Sequence, residues 1–135
     1  PLNEASVQHC RTLSHAQTKV NATMYFTTSQ ALLAAKAGPM LVLPFVGQID
    51  NIGRDGIGLI QKICTLYANY DYPSKILVAS VRRTQQFDKA TLMGANVVTL
   101  PLKILTALNH HPLTDSGRNA FNARLGKNRA VKLVA

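Results

Sequence analysis

The chain has 135 residues, 47% of them hydrophobic and 16% charged, with a formal net charge of +9. That size fits one domain around one core, and the balance excludes a disordered chain or a coiled coil. No apolar run nears the roughly 18 residues that span a bilayer, and Pro1 to Asn21 has no continuous apolar stretch of the kind a secretory leader carries.

The positive charge favours anionic ligands, either nucleic acid or sugar phosphate. Its distribution weakens the nucleic-acid case. Basic residues are scattered, with a modest cluster at Arg118, Arg124, Lys127, Arg129 and Lys132 that reads as a solvated end, running into a basic C-terminal tail from about residue 126. With four Phe, four Tyr and no Trp, there is no aromatic–basic alternation of the single-strand-binding type. Cys10 and Cys64 lack metal or redox spacing and read as buried reduced thiols of a cytoplasmic protein. His9, His15, His110 and His111 show no metal spacing, so neither a metal nor a cofactor is expected.

In chain order, a helix is expected over Glu4 to Ala16, with Asn3 as N-cap and Val7, Cys10 and Leu13 on one face. A strand follows, Lys19 to Phe26. Its alternation puts Val20, Ala22, Met24 and Phe26 on one side and Asn21, Thr23 and Tyr25 on the other. A helix from Ser29 to Ala37 is capped by Thr27 or Thr28 and stopped by Gly38. The apolar strand Met40–Pro44 then feeds a Gly-rich polar loop, Phe45 to Gly56, and a helix leaves it from Asp55 to about Asn69.

Asp71-Tyr72-Pro73-Ser74 breaks the chain. The almost wholly apolar strand Lys75 to Ala79 fits burial on both faces. A helix over Thr84 to Met93 ends at Gly94, and a strand from Asn96 to Leu100 is closed by Pro101. A short helix spans Leu102 to Asn109. His110-His111-Pro112 breaks it, and Thr114 caps a last helix to about Leu125. Four strand–helix units predict a parallel sheet with right-handed crossovers, either a small open sheet or half of an eight-stranded barrel. A full barrel takes about 250 residues.

Polar groups at three strand ends stand out. Asn21 and Thr23 share one strand face, where an amide and a hydroxyl can orient a water; an ordinary polar pair is the alternative. Ser80 and Arg82 follow a buried strand, and an Arg there offers a fork of donors to phosphate; an exposed Arg at a helix entry is the alternative, and Arg83 is a partial substitute. Asp55 reads as an N-cap and Asp50 as a loop-fixing acceptor.

Six segments, in order, resemble the transaldolase family, which includes the fructose-6-phosphate aldolases. They are Lys19-Val-Asn-Ala-Thr23, Ser29–Gly38, Pro44-Phe-Val-Gly-Gln-Ile-Asp-Asn-Ile-Gly-Arg-Asp-Gly56, Ile76-Leu-Val-Ala-Ser-Val-Arg82, Gly94–Pro101 and His111-Pro-Leu-Thr-Asp115. The resemblance implies a (β/α)8 barrel of which residues 1–135 form one domain, the C-terminal half, strands five to eight. It implies transfer of a dihydroxyacetone unit between sugar phosphates through a lysine Schiff base, in the pentose phosphate pathway.

Under the resemblance, Asn21 contacts substrate, Thr23 holds the catalytic water, and Ser80 and Arg82 bind phosphate. Phe45 lies at a substrate position where the aldolases carry Tyr, which tilts the reading toward transaldolase. Gln48 replaces the family's second phosphate-clamping Arg, so phosphate binding is expected to be weak, and Leu43 replaces a small residue and crowds the site. The family lysine lies in a Val-Lys-x-Pro motif whose Pro matches Pro1, which places it two residues upstream of this chain. Alone, the chain is then expected to be inactive, and to form a homo-oligomer or require its N-terminal half. The alternatives are a non-catalytic fragment and a basic polyanion-binding module on the same fold.

Overall fold

The computed structural model describes residues 1–132, with side chains through residue 125. Its elements are α1 (Glu4–His15), β1 (Asn21–Tyr25), α2 (Thr28–Ala37), β2 (Leu41–Pro44), α3 (Val46–Asn51), α4 (Gly56–Asn69), β3 (Lys75–Val78), α5 (Thr84–Leu92), β4 (Val97–Val98), α6 (Leu102–Ala107) and α7 (Pro112–Lys132). The chain falls into two compact units, Pro1–Pro101 and Leu102 onward.

In the first unit the four strands pair in the order β1-β2-β3-β4, every pair parallel. A right-handed crossover between neighbouring parallel strands lays its helix on one constant side. An order that never doubles back therefore gathers the helices in one layer. Accordingly α1 packs on α2, α2 on α4, and α4 on α5. The result is an α/β fold with a parallel sheet, consistent with a segment of a barrel wall.

The core lies between the sheet and this layer. Ala22, Val42, Ile76 and Val78 point into it from alternate strand positions, and Ile57, Ile60, Ile63 and Tyr67 meet them from α4. Helix α2 contributes only small side chains, Ala31, Ala34 and Ala35, which lets its backbone approach closely. The Tyr67 hydroxyl uses that closeness, donating to the Ala31 carbonyl at 2.8 Å. Burying each large side chain is worth about 1.5–3 kcal/mol.

The expected caps are present. Asn3 accepts from Ser6 N–H, Thr27 from Gln30 N–H, and Asp55 from Gly58 N–H, while Gly38 closes α2 in the left-handed conformation. Several expectations are corrected. The alternation of the first strand fails at Met24, which has φ +65° and is 41% exposed. The register steps from Thr23↔Leu43 to Tyr25↔Pro44, so Met24 is the extra residue of a bulge. Tyr25 is thereby turned to the helix side with Ala22, and its ring is 4% exposed.

The stretch expected as a polar loop contains α3, because Val46 and Ile49 stand three apart and are both buried. Ile52–Arg54 form the turn that leaves it, with Gly53 at φ +73° and Arg54 N–H donating back to the Ile49 carbonyl at 3.2 Å. The fourth strand shrinks to Val97–Val98. Asn96 extends that pairing with its side chain, accepting from Ile76 N–H at 2.8 Å. In the second unit α7 starts at Pro112, not at a Thr114 cap. Pro suits the first helical position, where its missing N–H costs nothing, and His111 Nδ1 accepts from Leu113 N–H at 3.2 Å. The helix continues past Leu125 to Lys132, and the side chains of the basic tail from 126 lie outside the described residues.

Both cysteines are free, Cys10 buried and Cys64 half-buried. Burial pushes the Cys64 thiol up from its ordinary value, against a smaller lowering by a backbone hydrogen bond.

Candidate functional site

The ends of β2 and β3 continue as a ladder past their last strand residues. Ala79 N–H donates to the Pro44 carbonyl and Val46 N–H to the Ala79 carbonyl, both at 3.1 Å. Phe45 bridges Ala79 between them. The backbone then swings into the left-handed region at Ser80, φ +61°. For a residue with a Cβ this is strained and held by its surroundings.

That swing brings the segment after β3 against the backbone of α3. A Cβ built on Gly47 would lie 2.5 Å from the Ser80 carbonyl oxygen, 2.6 Å from Ser80 Oγ and 2.9 Å from Arg82 Nε. Only glycine leaves that approach open. Gly47, Ser80 and Arg82 therefore form one cradle.

Arg82 is exposed, and its Nη1 donates to Asn51 Oδ1 at 2.6 Å. A guanidinium carries five N–H donors, so a single neutral acceptor leaves most of the fork for another group. Beneath it, Gln86 Oε1 accepts from the backbone N–H of Arg82 at 2.8 Å and of Arg83 at 3.1 Å. Gln86 Nε2 donates to Asp50 Oδ2 at 2.6 Å, and Asp50 Oδ1 accepts from Gly56 N–H at 3.0 Å. Asp50 is thus a loop-fixing acceptor, as its place in the sequence implies. Arg83 reaches the same carboxylate at 3.8 Å while largely exposed, a pairing of little energetic weight.

The other sequence-derived residues are placed as follows. Gln48 is exposed on α3, next to Gly47. Asn21 and Thr23 share the sheet face opposite Ala22, Asn21 exposed and Thr23 half-buried. Asn21 opens β1 in register with Leu41, and Leu41 with Lys75, so it lies at the level where β3 begins. Thr23 pairs with Leu43, two residues nearer the strand ends. The structure thus gathers Gly47, Ser80 and Arg82, while Asn21 and Thr23 lie lower on the sheet. Asn51 and Gln86 were missed as site residues. For Gln86 the available signal was the half capping box, a Gln three residues after a helix entry; Asn51 carried no signal of its own.

A hollow of about 180 Å³ lies elsewhere, between α1 and β1, lined in part by Cys10, Leu13, Ala22 and Tyr25. Burial, with a smaller contribution from Cys10, pushes the Tyr25 hydroxyl up to about 12. Among the described residues no group of three or more His, Cys, Asp or Glu is placed to hold a metal, and no helix is long and apolar enough to cross a membrane.

The parallel sheet thus carries at its strand ends a glycine-backed Ser–Arg cradle, and a guanidinium fork is the donor set whose geometry matches anionic oxygens. The sequence profile of the transaldolase/fructose-6-phosphate aldolase family matches residues 1–133. The chain belongs to that family. It is 46% identical over 121 residues to a probable transaldolase of Bartonella bacilliformis, covering 90% of this chain and 56% of that protein. It is 48% identical over 128 residues to a probable transaldolase of Mesorhizobium japonicum, covering 94% and 59%. The chain therefore spans somewhat over half the length of these curated relatives.

Among solved structures, a mutant flavocytochrome b2 with pyruvate bound matches at TM-score 0.54 and 18% identity, over 70% of this chain and 25% of that one. A mandelate oxidase matches at TM-score 0.53 and 23% identity, over 74% and 30%. At such identities the likeness is one of fold.

Proposed function

We propose that this chain is the phosphate-binding wall, strands five to eight, of a transaldolase-type (β/α)8 barrel. The activity served is transfer of a dihydroxyacetone unit between sugar phosphates through a lysine Schiff base, in the pentose phosphate pathway. The observation that carries the reading is the Arg82 fork beside Ser80, backed by Gly47. A charge-assisted hydrogen bond from Arg contributes about 1.5–3 kcal/mol, against about 1 for a neutral one. Gln48 supplies only the neutral kind, so binding is weak.

Phe45 has no hydroxyl to donate, which favours transaldolase over aldolase chemistry at that position. Asn21 and Thr23 serve the reacting end of the sugar from the sheet face below, where Thr23 orients water for proton transfer. Their place two to four residues below the strand ends suits an extended substrate whose phosphate alone reaches Arg82. The nucleophilic lysine comes from outside these residues. A solvated lysine, with a pKa near about 10.4, is a poor nucleophile at neutral pH. Lys75 opens β3, at the end of the sheet away from Ser80.

The edge of β1 and the uncovered sheet face are completed by the remainder of a barrel or by a second copy of the chain. Light scattering at micromolar concentration tests this, with a stable monomer as the contrary result. The function itself is tested by calorimetry with fructose 6-phosphate. Arg82→Ala abolishes binding, and Gln48→Arg tightens it about tenfold; no change in either variant removes the reading. Borohydride reduction with the sugar phosphate gives no adduct on this chain alone, and an adduct mapped to one of its lysines would place the chemistry here after all.

A further inference from the structure

We propose that Gln86 is a positioning residue, whose buried carboxamide clips to Asp50 and so holds Arg82 over Gly47 in a shape ready for an anion. The inference rests on the reading of Arg82 as the anion's donor. Gln86 is 6% exposed, and among the described residues only Ser74 shares its standing as a buried polar side chain. An amide buried without partners is destabilising. Here both acceptor sites and one donor are used, on Arg82 N–H, Arg83 N–H and Asp50.

These partners also fix the orientation of the amide. Two backbone N–H groups meet one end and a carboxylate meets the other, so only one flip state fits. Glu would set a second carboxylate against Asp50, and an apolar residue would leave the two N–H groups bare.

The geometry reaches Arg82 from both ends. Gln86 fixes its backbone N–H directly. It also fixes Asp50, whose chain neighbour Asn51 accepts from the guanidinium. Asp50 passes the hold to the first residue of α4 through Gly56 N–H. One amide thus couples the segments after β2 and after β3. A fork held in this way loses less freedom when an anion arrives.

The test titrates inorganic phosphate into the 135-residue chain. Gln86→Glu sets two carboxylates together and should weaken phosphate about tenfold. Asp50→Asn leaves either the Gln86 amide or Gly56 N–H without an acceptor, and should weaken it severalfold. Simple charge counting gives the opposite sign for Asp50→Asn, because a negative charge is removed. The reciprocal pair, Asp50→Asn with Gln86→Glu, restores every donor–acceptor match and the net charge, and should bind within about twofold of the parent.

Singles that bind like the parent, or a double no better than the singles, overturn the proposal. A merely structural role lowers the melting temperature of the singles and leaves phosphate affinity unmoved. If Arg82→Ala binds phosphate as the parent does, the anion reading fails on its own. The clip is then judged by amide exchange at Arg82, Arg83 and Gly56. Fast exchange in the singles and slow exchange in parent and double support it, and equal exchange in all four overturns it.

Discussion

The two faces of the sheet are built to different standards. The face toward the helices carries Ala22, Val42, Ile76 and Val78, all buried, and meets α4 residues that are themselves closed from water. The other face carries Asn21, Thr23, Leu41 and Leu43, none of them buried, while Leu77 on the neighbouring β3 is closed from water there. A barrel wall explains the contrast, since its helix side is complete within each strand–helix unit and its inner side is completed only by other strands. Stability thus resides on one face and the polar groups of the proposed chemistry on the other.

The largest test of that contrast is a truncation on each side of the sheet. Ile60, fully buried, should cost about 2–5 kcal/mol on Ile60→Ala. Leu43→Ala on the open face should cost well under half of that, because little surface is returned to water. Denaturant midpoints measure both, and equal losses would erase the distinction.

Gly47→Ala probes the seam where the faces meet the strand-end cradle. Its Cβ would press on the Ser80 carbonyl, a backbone atom that cannot swing aside. We expect about 1–3 kcal/mol of destabilisation, together with weaker phosphate binding as Arg82 is displaced. A variant with parent stability and parent affinity would show that the approach is slack.

A third measurement sharpens the closed face through its tyrosines. Burial raises both Tyr25, to about 12, and Tyr67 from the ordinary value of 10.0. Below pH 10 the hydroxyls are protonated in the folded and unfolded chain alike, and their contribution is intact. Above pH 10 the unfolded chain releases protons that the folded chain keeps, so stability falls as pH rises toward and beyond 12. Tyr67→Phe should cost about 1 kcal/mol at neutral pH, through the lost bond to Ala31, and should flatten this alkaline decline. A decline just as steep in the variant would assign it to other groups.

The smallest effects belong to the open face. Asn21→Ala and Thr23→Ala should each shift stability by no more than about 0.5 kcal/mol. Thermal melts check this, and a loss of several kcal/mol at either position would mean that the open face carries structural load.

Much of the fold was legible because local signals carried it. Asn3, Thr27 and Asp55 sit where caps belong, and the run Lys75 to Ala79 can hardly be anything but a buried strand. What the sequence hid depends on neighbours far along the chain. Met24 fits an apolar alternation by hydrophobicity alone, and only pairing with β2 reveals it as the extra residue. Helix α3 is six residues long, too short for periodicity to outweigh its glycine. At the candidate site, Ser80 and Arg82 announced themselves as polar groups after an apolar run. Asn51 did not, because its partner lies 31 residues away, and Gln86 showed only its local capping pattern, since the Asp50 it also holds lies 36 residues away.

The bulge at Met24 has a consequence for how this chain can be recognised. A strand docking alongside β1 finds regular rungs from Asn21 to Thr23 and then a kink. An incoming segment must end there or carry a matching irregularity. Shifted by one residue, it would present the wrong side chains to each face. Indiscriminate stacking of identical copies gains little from so short a straight stretch. The kink therefore limits regular pairing along this edge to the three residues Asn21 to Thr23.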